Sequence, residues 1–470
     1  MARTGVQGSS RGTAFAPERR GARQEAIGPL AWIGLGVTPL AILLGHLAFG
    51  VSTNLAACVF TALAGGGLAV GLALPSARAG LAGVRGLGPA AALFAATLGV
   101  AALTLTALTP GGPHPVWEWA GMTTRASTIN RFQTTIEMIK LAGLACVFLI
   151  GAMQAARGDR ARATVRALLV LGGIYAAVSL IAFLTGGQVL RVPRLSGGFM
   201  SANSGATVFG LLTVLGLAEA RRSWRRHGAD RARSIARAAP MAALTALFAT
   251  CLMLTASRAG AASTAAAIAV LMLWDAFASG RRLSARGLII AAAVMLAGLF
   301  LISGAGDRLW LRFDALEQDA VVRRVILDEH WEAFLASPLF GYGLGSFVDL
   351  NAMIMTPGTF GNLLVGSAHN VYLQWLEEAG VVGAAPMFAL IAFIILTSAW
   401  RAGTSHRGGE LARGLVAANL VVLLHGLTDF ALQEFSIAAM WAFLLGLQFA
   451  WGQSSRSQSG RAQGGREGRS

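Results

Sequence analysis

Long apolar runs separated by short polar links dominate this chain. A membrane-spanning helix needs about 20 mostly apolar residues, and twelve runs reach or approach that length. They lie near 29–49, 54–74, 88–109, 132–155, 164–184, 201–220, 240–256, 260–279, 287–304, 381–400, 413–428 and 433–452. This pattern predicts an all-α integral membrane protein with about twelve transmembrane helices, in which the run 413–428 is the shortest.

Composition supports a membrane protein. Only 13% of the 470 residues are charged, whereas soluble domains carry about 25%, and the mean hydropathy is +0.61. The net charge of +16 could indicate nucleic-acid binding, but the arginines cluster in the short links, as in cytoplasmic loops. Cys58, Cys146 and Cys251 lie inside apolar runs without CxxC spacing, which predicts small core residues instead of a disulfide or metal site.

The distribution of arginine predicts the topology. If both termini are cytoplasmic and twelve spans alternate, every inner segment carries arginine, and the inner segments together hold 27 of the 38 basic residues. This agreement with the positive-inside rule supports the count of twelve. The first run has no A-x-A cleavage signal, so we expect it to remain as a span. The Gly/Ser/Arg-rich tails 1–28 and 453–470 are predicted to be disordered.

The longest outer segment, 305–380, lies between the ninth and tenth spans. It begins with a polar stretch of helical character, continues through LFGYGLGSF and ends with SAHNVYLQWLEEAG. We therefore predict a mainly helical outer subdomain at 305–380. It would separate a nine-span bundle at 29–304 from a three-span bundle at 381–452.

Nine arginines face outward in this topology and so contradict the positive-inside rule. They are Arg125, Arg131, Arg191, Arg194, Arg258, Arg308, Arg312, Arg323 and Arg324. Two of them lie in RVPRLSGGFMSANSGA, where glycines allow close backbone approach and Asn203 stands just inside a helix whose N-terminus could bind an anion. Arginine adds a fork suited to phosphate. Alternatively, Arg191 and Arg194 extend to lipid headgroups.

Two further motifs carry outward arginines. Arg258, in LTASRAGAAST, lies in a tight turn between two spans, where a charge usually faces a cavity or a partner. A structural ion pair is the alternative. In VVRRVILDEHWEAF, Arg323 and Arg324 precede Asp328 and Glu332 at helical spacing, so a solvent-exposed charge ladder is an alternative to ligand binding.

The segment SAHNVYLQWLEEAG offers a possible base. If a helix begins near Ser367, then Asn370, Gln374 and Glu377 share one face, and His369 points from the first turn toward the outer mouth of the bundle. Histidine titrates near neutral pH and is suited to act as a general base toward a sugar hydroxyl. A role in helix capping or packing is the alternative.

A second possible acid–base pair lies in HGLTDFALQEF, where His425 and Asp429 are four residues apart and Glu434 follows. A helix-end hydrogen bond would explain it equally well. The sequence contains no P-loop, dinucleotide-binding glycine motif, HExxH or DxD-type metal pair. Because the outer side of a membrane has no ATP, any bond-forming chemistry must use an activated substrate. Clustered arginines fit a lipid-linked pyrophosphate, whose leaving group needs charge stabilisation.

The order of RVPRLSGGFMSANSGA, TASRAG, an arginine upstream of SPLFGYGLGSF, and SAHNVYLQWLEEAGVVG resembles the O-antigen ligase and polymerase superfamily over roughly 190–400. The resemblance implies a bacterial inner-membrane glycosyltransferase with a periplasmic active site and periplasmic subdomain. It would transfer a glycan from undecaprenyl pyrophosphate to an acceptor hydroxyl without metal or cofactor. Its partners would be the lipid-linked donor and a glycan or lipid A-core acceptor, with no nucleic acid.

The resemblance also implies residue roles. His369 corresponds to the catalytic base, and the single displacement would invert the anomeric centre. The pyrophosphate contacts would be Arg191 or Arg194, Arg258, and Arg323 or Arg324. Asn203, Asn370, Glu377 and Asp429 would support the site. The chain has Ser201, Ala202 and Asn203 where many relatives have N-P-N, which leaves the acceptor open.

Other classes of protein fit part of the pattern. Twelve spans with a long basic loop after the sixth also describe a two-half transporter, such as a lipid-linked oligosaccharide flippase. Against a transporter, the halves show no evident repeat and the polar groups collect at the outer mouth. A sensor or structural protein would need no convergence of the outer arginines. Ligase and polymerase, in lipopolysaccharide or exopolysaccharide assembly, are not separated by the sequence.

Overall fold

The computed structural model describes residues 29–123, 125–156, 158–188, 193–226, 230–278, 324–355, 366–404, 409–451 and 453. Within these ranges the regular secondary structure is entirely helical, in agreement with the predicted fold class. Several predicted features lie outside the described residues, namely Arg191, Arg323, the ninth span near 287–304 and the two tails.

The described residues form fifteen α-helices, which we number in chain order. They are α1 Pro29–Leu47, α2 Asn54–Ala73, α3 Pro75–Ala82, α4 Leu87–Thr104, α5 Val116–Trp119, α6 Arg131–Ala155, α7 Gly158–Leu184, α8 Ala202–Arg226, α9 Arg231–Leu254, α10 Arg258–Ala278, α11 at 324–336, α12 Phe347–Ile354, α13 Val371–Gly403, α14 Gly409–His425 and α15 Phe435–Ala450. Two 3₁₀ turns, Phe49–Val51 and Ala431–Gln433, precede α2 and α15.

Seven of these helices are long and apolar enough to cross a membrane, namely α2, α4, α6, α7, α9, α10 and α13. The apolar stretches Gly34–Leu47 and Phe435–Ala450 are shorter. Helices α8 and α14 also overlap predicted spans, but each has charged residues near one end. Helices therefore overlap eleven of the twelve predicted spans. The chain is a multi-pass membrane protein, and the count of twelve stays a prediction.

Helix α8 forms the centre of the bundle. Most of its side chains are buried, and α9, α10 and α14 pack around it. A second close pair is α6 with α15, where Gly151 and Gly446 lie directly against the backbone of the facing helix. Small residues of this kind let membrane helices approach closely. Helix α2 packs against α6 and has only two buried residues, Ala57 and Ala64, as expected for a helix at the lipid-facing edge of the bundle.

The helix ends gather in two groups, which we call the His369 end and the opposite end. At the His369 end, the amide of Leu195 donates to the carbonyl of Leu254 at 2.9 Å, and the amide of Val371 donates to the carbonyl of Gly426 at 2.9 Å. The opposite end contains the buried ion pairs of Glu219 with Arg222 and of Asp275 with Arg413. The positive-inside rule predicts that this opposite end is cytoplasmic.

Helices α11 and α12 pack at the His369 end against the loop between α5 and α6. Ile129 of that loop forms a small apolar cluster with Ala333, Tyr342 and Leu350, and its amide donates to the Tyr342 carbonyl at 2.9 Å. The described part of the predicted outer subdomain is therefore helical. Helix α13 continues from this region into the tenth predicted span.

Candidate functional site

The glycine-rich segment SPLFGYGLGSF fills a break in α13. At Gly380 the backbone has φ 62° and ψ 176°, which is not helical. The carbonyls of Glu377 and Glu378, just before the break, accept hydrogen bonds from the amides of Tyr342 at 3.0 Å and Gly343 at 2.8 Å. The first two turns of α13 are therefore held by the glycine-rich segment.

The backbone amides that follow the break are also hydrogen-bonded to the glycine-rich segment. The amides of Val381 and Val382 donate to the carbonyls of Pro338 at 2.8 Å and Leu339 at 3.0 Å. Non-helical backbone at membrane depth needs such protein partners. Gly341 has φ 65° and lies against the α13 backbone, where a Cβ would clash, so glycine is required there.

Two side chains of α13 reinforce this contact. The carboxylate of Glu378 accepts from the amide of Gly345 at 2.7 Å and from Nε2 of Gln374 at 2.9 Å. Oε1 of Gln374 accepts from the amide of Ala368 at 3.4 Å and from the side chain of Gln433. Gln374 thus joins the SAHN segment to the hairpin before α15. In the sequence, the signal for Glu378 is the E-x-G spacing to Gly380.

Asn370 is the N-cap of α13. Its Oδ1 accepts from the amides of Tyr372 at 3.0 Å and Leu373 at 3.1 Å. The helix therefore begins at Val371, one turn later than the start near Ser367 that the sequence suggested. Side-chain capping by asparagine satisfies amides that otherwise have no partner at a helix start.

His369 immediately precedes this cap. Its φ of 52° lies in the left-handed region, which non-glycine residues rarely adopt and which is enriched at functional sites. The side chain is half-buried, and its ring meets the ring of Phe430 edge-on with 5.1 Å between centroids. The candidate base is therefore packed against the hairpin between α14 and α15.

His425, at the end of α14, connects three parts of the site. Its Nδ1 lies 2.8 Å from Oγ1 of Thr207 on α8, and its Nε2 lies 3.5 Å from Oγ of Ser257 in the turn before α10. Nε2 is also 3.7 Å from Oδ2 of Asp429. His425 and Asp429 therefore lie close together, at a distance longer than a hydrogen bond. Burial, with the charge of Asp429, raises the pKa of nearby Glu434 to about 7.

Arg194 is fixed to the same turn. Its Nε donates to the carbonyl of Thr255 at 2.7 Å, and a terminal nitrogen donates to Oδ1 of Asn203 at 2.8 Å. The amide of Ser257 donates to Oγ1 of Thr255 at 3.2 Å. Asn203, predicted to support the site, therefore orients Arg194.

Arg258 is the first residue of α10, Arg324 is the first described residue of α11, and both side chains are exposed. Neither makes a hydrogen bond or ion pair with another described residue. Both guanidinium groups belong to exposed residues at the His369 end. Within the described ranges, no three His, Cys, Asp or Glu side chains are grouped as metal ligands.

A continuous set of contacts joins most of the predicted site. It runs from Arg194 to the Thr255–Arg258 turn, from Ser257 to His425 and Asp429, and from the adjacent Phe430 to His369. Arg324 is not part of this set within the described residues. Segments far apart in the sequence are thus brought together at the His369 end.

Glu377, predicted to support the site, is fully buried. Its Oε1 lies 2.6 Å from Nδ1 of His330, which is also fully buried, and Nε2 of His330 lies 3.1 Å from Oδ1 of Asn351. Burial and the charge of Glu377 raise the pKa of Tyr342. Nothing in the spacing of DEHWEAF separates His330 from its polar neighbours, so this pair is visible only in the structure.

The fold and this arrangement define a multi-pass membrane protein with an arginine- and histidine-lined polar site at one end. A family model described as O-antigen ligase matches residues 243–388. The match covers about a third of the chain and supports the resemblance to the O-antigen ligase and polymerase superfamily. It contains TASRAG, SPLFGYGLGSF and the SAHN segment, whereas RVPRLSGGFMSANSGA lies outside it. It implies a glycosyltransferase-type enzyme. The matched segment contains Arg258, Arg324 and His369, whereas Arg194 and Asp429 lie outside it. No curated protein matches the chain.

Proposed function

We propose that this protein transfers a glycan from undecaprenyl pyrophosphate to a sugar hydroxyl of an acceptor at the periplasmic face of the bacterial inner membrane. The observation that carries the proposal is the set of contacts from Arg194 to His369, which joins anion-binding groups and a possible base at one end of the bundle. On this proposal the lipid tail lies along the spans, and both termini are cytoplasmic.

The arginines bind the pyrophosphate in this proposal. Arg258 offers an exposed guanidinium at the start of α10, where backbone amides also favour an anion. Arg194 stands beside it, oriented by Asn203. Arg324, with Arg191 and Arg323 as further candidates, would complete the binding of the leaving group. Preorganised positive charge of this kind stabilises a departing anion, so the proposed reaction uses no metal.

His369 acts as the general base. It takes the proton of the acceptor hydroxyl while the hydroxyl oxygen forms a bond to the anomeric carbon. The bond from that carbon to the pyrophosphate oxygen breaks, and undecaprenyl pyrophosphate leaves with the electron pair. This single displacement inverts the anomeric configuration. Positioned general bases typically contribute about 10²–10⁴-fold to the rate.

The test replaces the chromosomal gene with the His369→Ala variant. We expect loss of the polymeric surface polysaccharide and accumulation of lipid-linked glycan in the periplasmic leaflet, where added glycosidase can digest it. His114→Ala, which changes another half-buried histidine at the same end, should leave the polysaccharide normal. Full polysaccharide from His369→Ala at normal protein level would remove His369 as the base.

Deletion of the gene separates the proposal from a flippase. A transferase deletion leaves the lipid-linked glycan exposed to the periplasm, whereas a flippase deletion leaves it in the cytoplasmic leaflet. The acceptor is also identified by this experiment. Lipopolysaccharide with single repeat units indicates a polymerase, and accumulation of lipid-linked polymer indicates a ligase. Loss of secreted polysaccharide alone indicates an exopolysaccharide system.

A further inference from the structure

We infer that the buried His330–Glu377 pair is a positioning device that sets the place of Arg324 relative to His369. The inference rests on the proposed function, since it gives the pair a role in binding the pyrophosphate donor. His330 and Glu377 touch no substrate in this scheme. They act through the two helices that carry the reactive groups.

Three helices meet at the His330 side chain. It lies on α11, its Nδ1 is 2.6 Å from Oε1 of Glu377 on α13, and its Nε2 is 3.1 Å from Oδ1 of Asn351 on α12. The imidazole also stacks on Phe347, with 4.3 Å between centroids and 21° between the rings. Both ring nitrogens and one ring face are therefore engaged, which fixes the ring in one orientation.

The chemistry of the pair favours a role in geometry. Buried ionisable groups are costly, and an apolar pair of similar volume would hold two helices at least as well. A hydrogen bond to each ring nitrogen is directional, so this pair specifies one register of α11 against α13. Oε2 of Glu377 is buried without a hydrogen-bond partner in the described part of the chain. Maximal stability would not leave that oxygen unsatisfied.

The pair joins α11, which carries Arg324, to α13, which directly follows His369 and its neighbouring cap residue. Arg324 is six residues before His330 on α11, a rise of about 9 Å along the helix axis. Glu377 belongs to the first turns of α13, before the break at Gly380, and His369 directly precedes the cap of this helix. A shift of α11 on α13 would therefore move Arg324 while leaving His369 in place.

The experiment measures donor dependence of transfer with the full-length protein in membranes, using lipid-linked glycan extracted from the deletion strain. His330→Ala should raise the KM for this donor about tenfold with a smaller change in kcat. A structural defect alone would lower the amount of active protein and leave KM unchanged. Glu332→Ala, at an exposed position of the same helix, should leave both constants unchanged.

A double-mutant cycle tests whether His330 acts through Arg324. Each single alanine variant should raise KM about tenfold, and the double variant should raise it no further than about twofold beyond either one, because coupled residues are not additive. Multiplication of the two effects, or an unchanged KM for His330→Ala, would overturn the inference.

An exchange variant covers the case in which His330→Ala does not accumulate. His330→Glu combined with Glu377→His keeps one imidazole and one carboxyl in contact and should return KM to within about threefold of the original protein. A KM that stays raised about tenfold in the exchange variant, at a normal protein level, would count against the positioning role of the pair.

If His369→Ala and Arg324→Ala both retain full transfer, the proposed function fails. If both lose transfer and His330→Ala does not change KM, only this inference fails.

Discussion

The two ends of the bundle use arginine in opposite ways. At the opposite end, it forms ion pairs with buried carboxylates. Glu219 accepts from Arg166 at 2.7 Å and from Arg222 at 2.7 Å, and Asp275 accepts from Arg413 at 2.6 Å. Arg221 also reaches Asp275, at 3.3 Å. Both carboxylates are almost completely buried.

At the His369 end, the arginines differ in their partners and in their exposure. Arg194 donates to the carbonyl of Thr255 and to the amide oxygen of Asn203, both of which are neutral. Arg258 and Arg324 are exposed and make no ion pair with another described residue. Arg258 and Arg324 at this end are thus exposed, whereas Arg222 and Arg413 at the opposite end are buried in ion pairs.

The paired arginines of the opposite end stabilise the fold, whereas the arginines of the His369 end are the ones proposed to bind a ligand. A buried charge must be paired where it serves the fold, whereas a charge that serves an anionic ligand must stay available. The same three helices, α8, α10 and α14, carry both kinds of group. Their opposite ends hold the ion pairs, and their other ends hold Thr207, Arg258 and His425. The ion pairs therefore fix the helices on which the site is built.

The largest expected effect comes from breaking the opposite end. Asp275→Ala leaves the buried Arg413 and the half-buried Arg221 without their carboxylate, which should lower the free energy of unfolding by about 3–5 kcal/mol. The measurement is the thermal unfolding midpoint of the purified protein in detergent, with its level in the membrane. Asp230→Asn is the control, because its exposed ion pair with Arg233 contributes at most about 1 kcal/mol. Equal stability of the two variants would contradict the structural role of this end.

A smaller effect, on binding alone, is expected for Arg258→Ala. Loss of a charge-assisted contact of about 1.5–3 kcal/mol should weaken binding of undecaprenyl pyrophosphate to the purified protein roughly 10- to 100-fold. The unfolding midpoint should not change, because Arg258 has no partner among the described residues. Arg226→Ala, at an exposed position on the opposite end, should leave binding intact. Reduced stability without weaker binding would make Arg258 a structural arginine as well.

Much of the fold follows from the long apolar runs in the sequence. Apolar runs located the membrane helices, because each helix in lipid must satisfy its own backbone and so needs a continuous apolar stretch. The predicted start of the tenth span at 381 coincides with the break at Gly380. Helix α13 itself begins ten residues earlier, at Val371, and its turns before the break carry polar groups and are held by the glycine-rich segment.

The site was only partly predictable, for a related reason. Motif order predicted His369, Arg191 or Arg194, and Arg258 as residues of the site. Side-chain partners such as His330 with Glu377 join segments 47 residues apart in sequence, and no local pattern encodes that contact. The sequence suggests a helix start near Ser367, one turn before the actual start at Val371. Only the fold shows that Asn370 is the cap.

A small loss of stability is expected at the His369 end when the cap of α13 is removed. Asn370→Ala removes the cap of α13 and should cost about 1 kcal/mol. Transfer should fall more than this suggests, by about tenfold, because His369 directly precedes the cap and small misplacement of a reacting group is costly. Asn370→Ser, which retains a capping oxygen, should restore most of the stability and most of the transfer rate. The measurements are the unfolding midpoint and the rate of transfer from lipid-linked glycan.

The serine variant decides between two roles for Asn370. If capping is its function, stability and transfer recover together in Asn370→Ser. If the amide instead contacts substrate, stability recovers and transfer stays low, because serine cannot supply the amide group. In that second case Asn370 would act like Arg258, through a ligand. In the first it would act like Asp275, through the fold, although it lies at the His369 end.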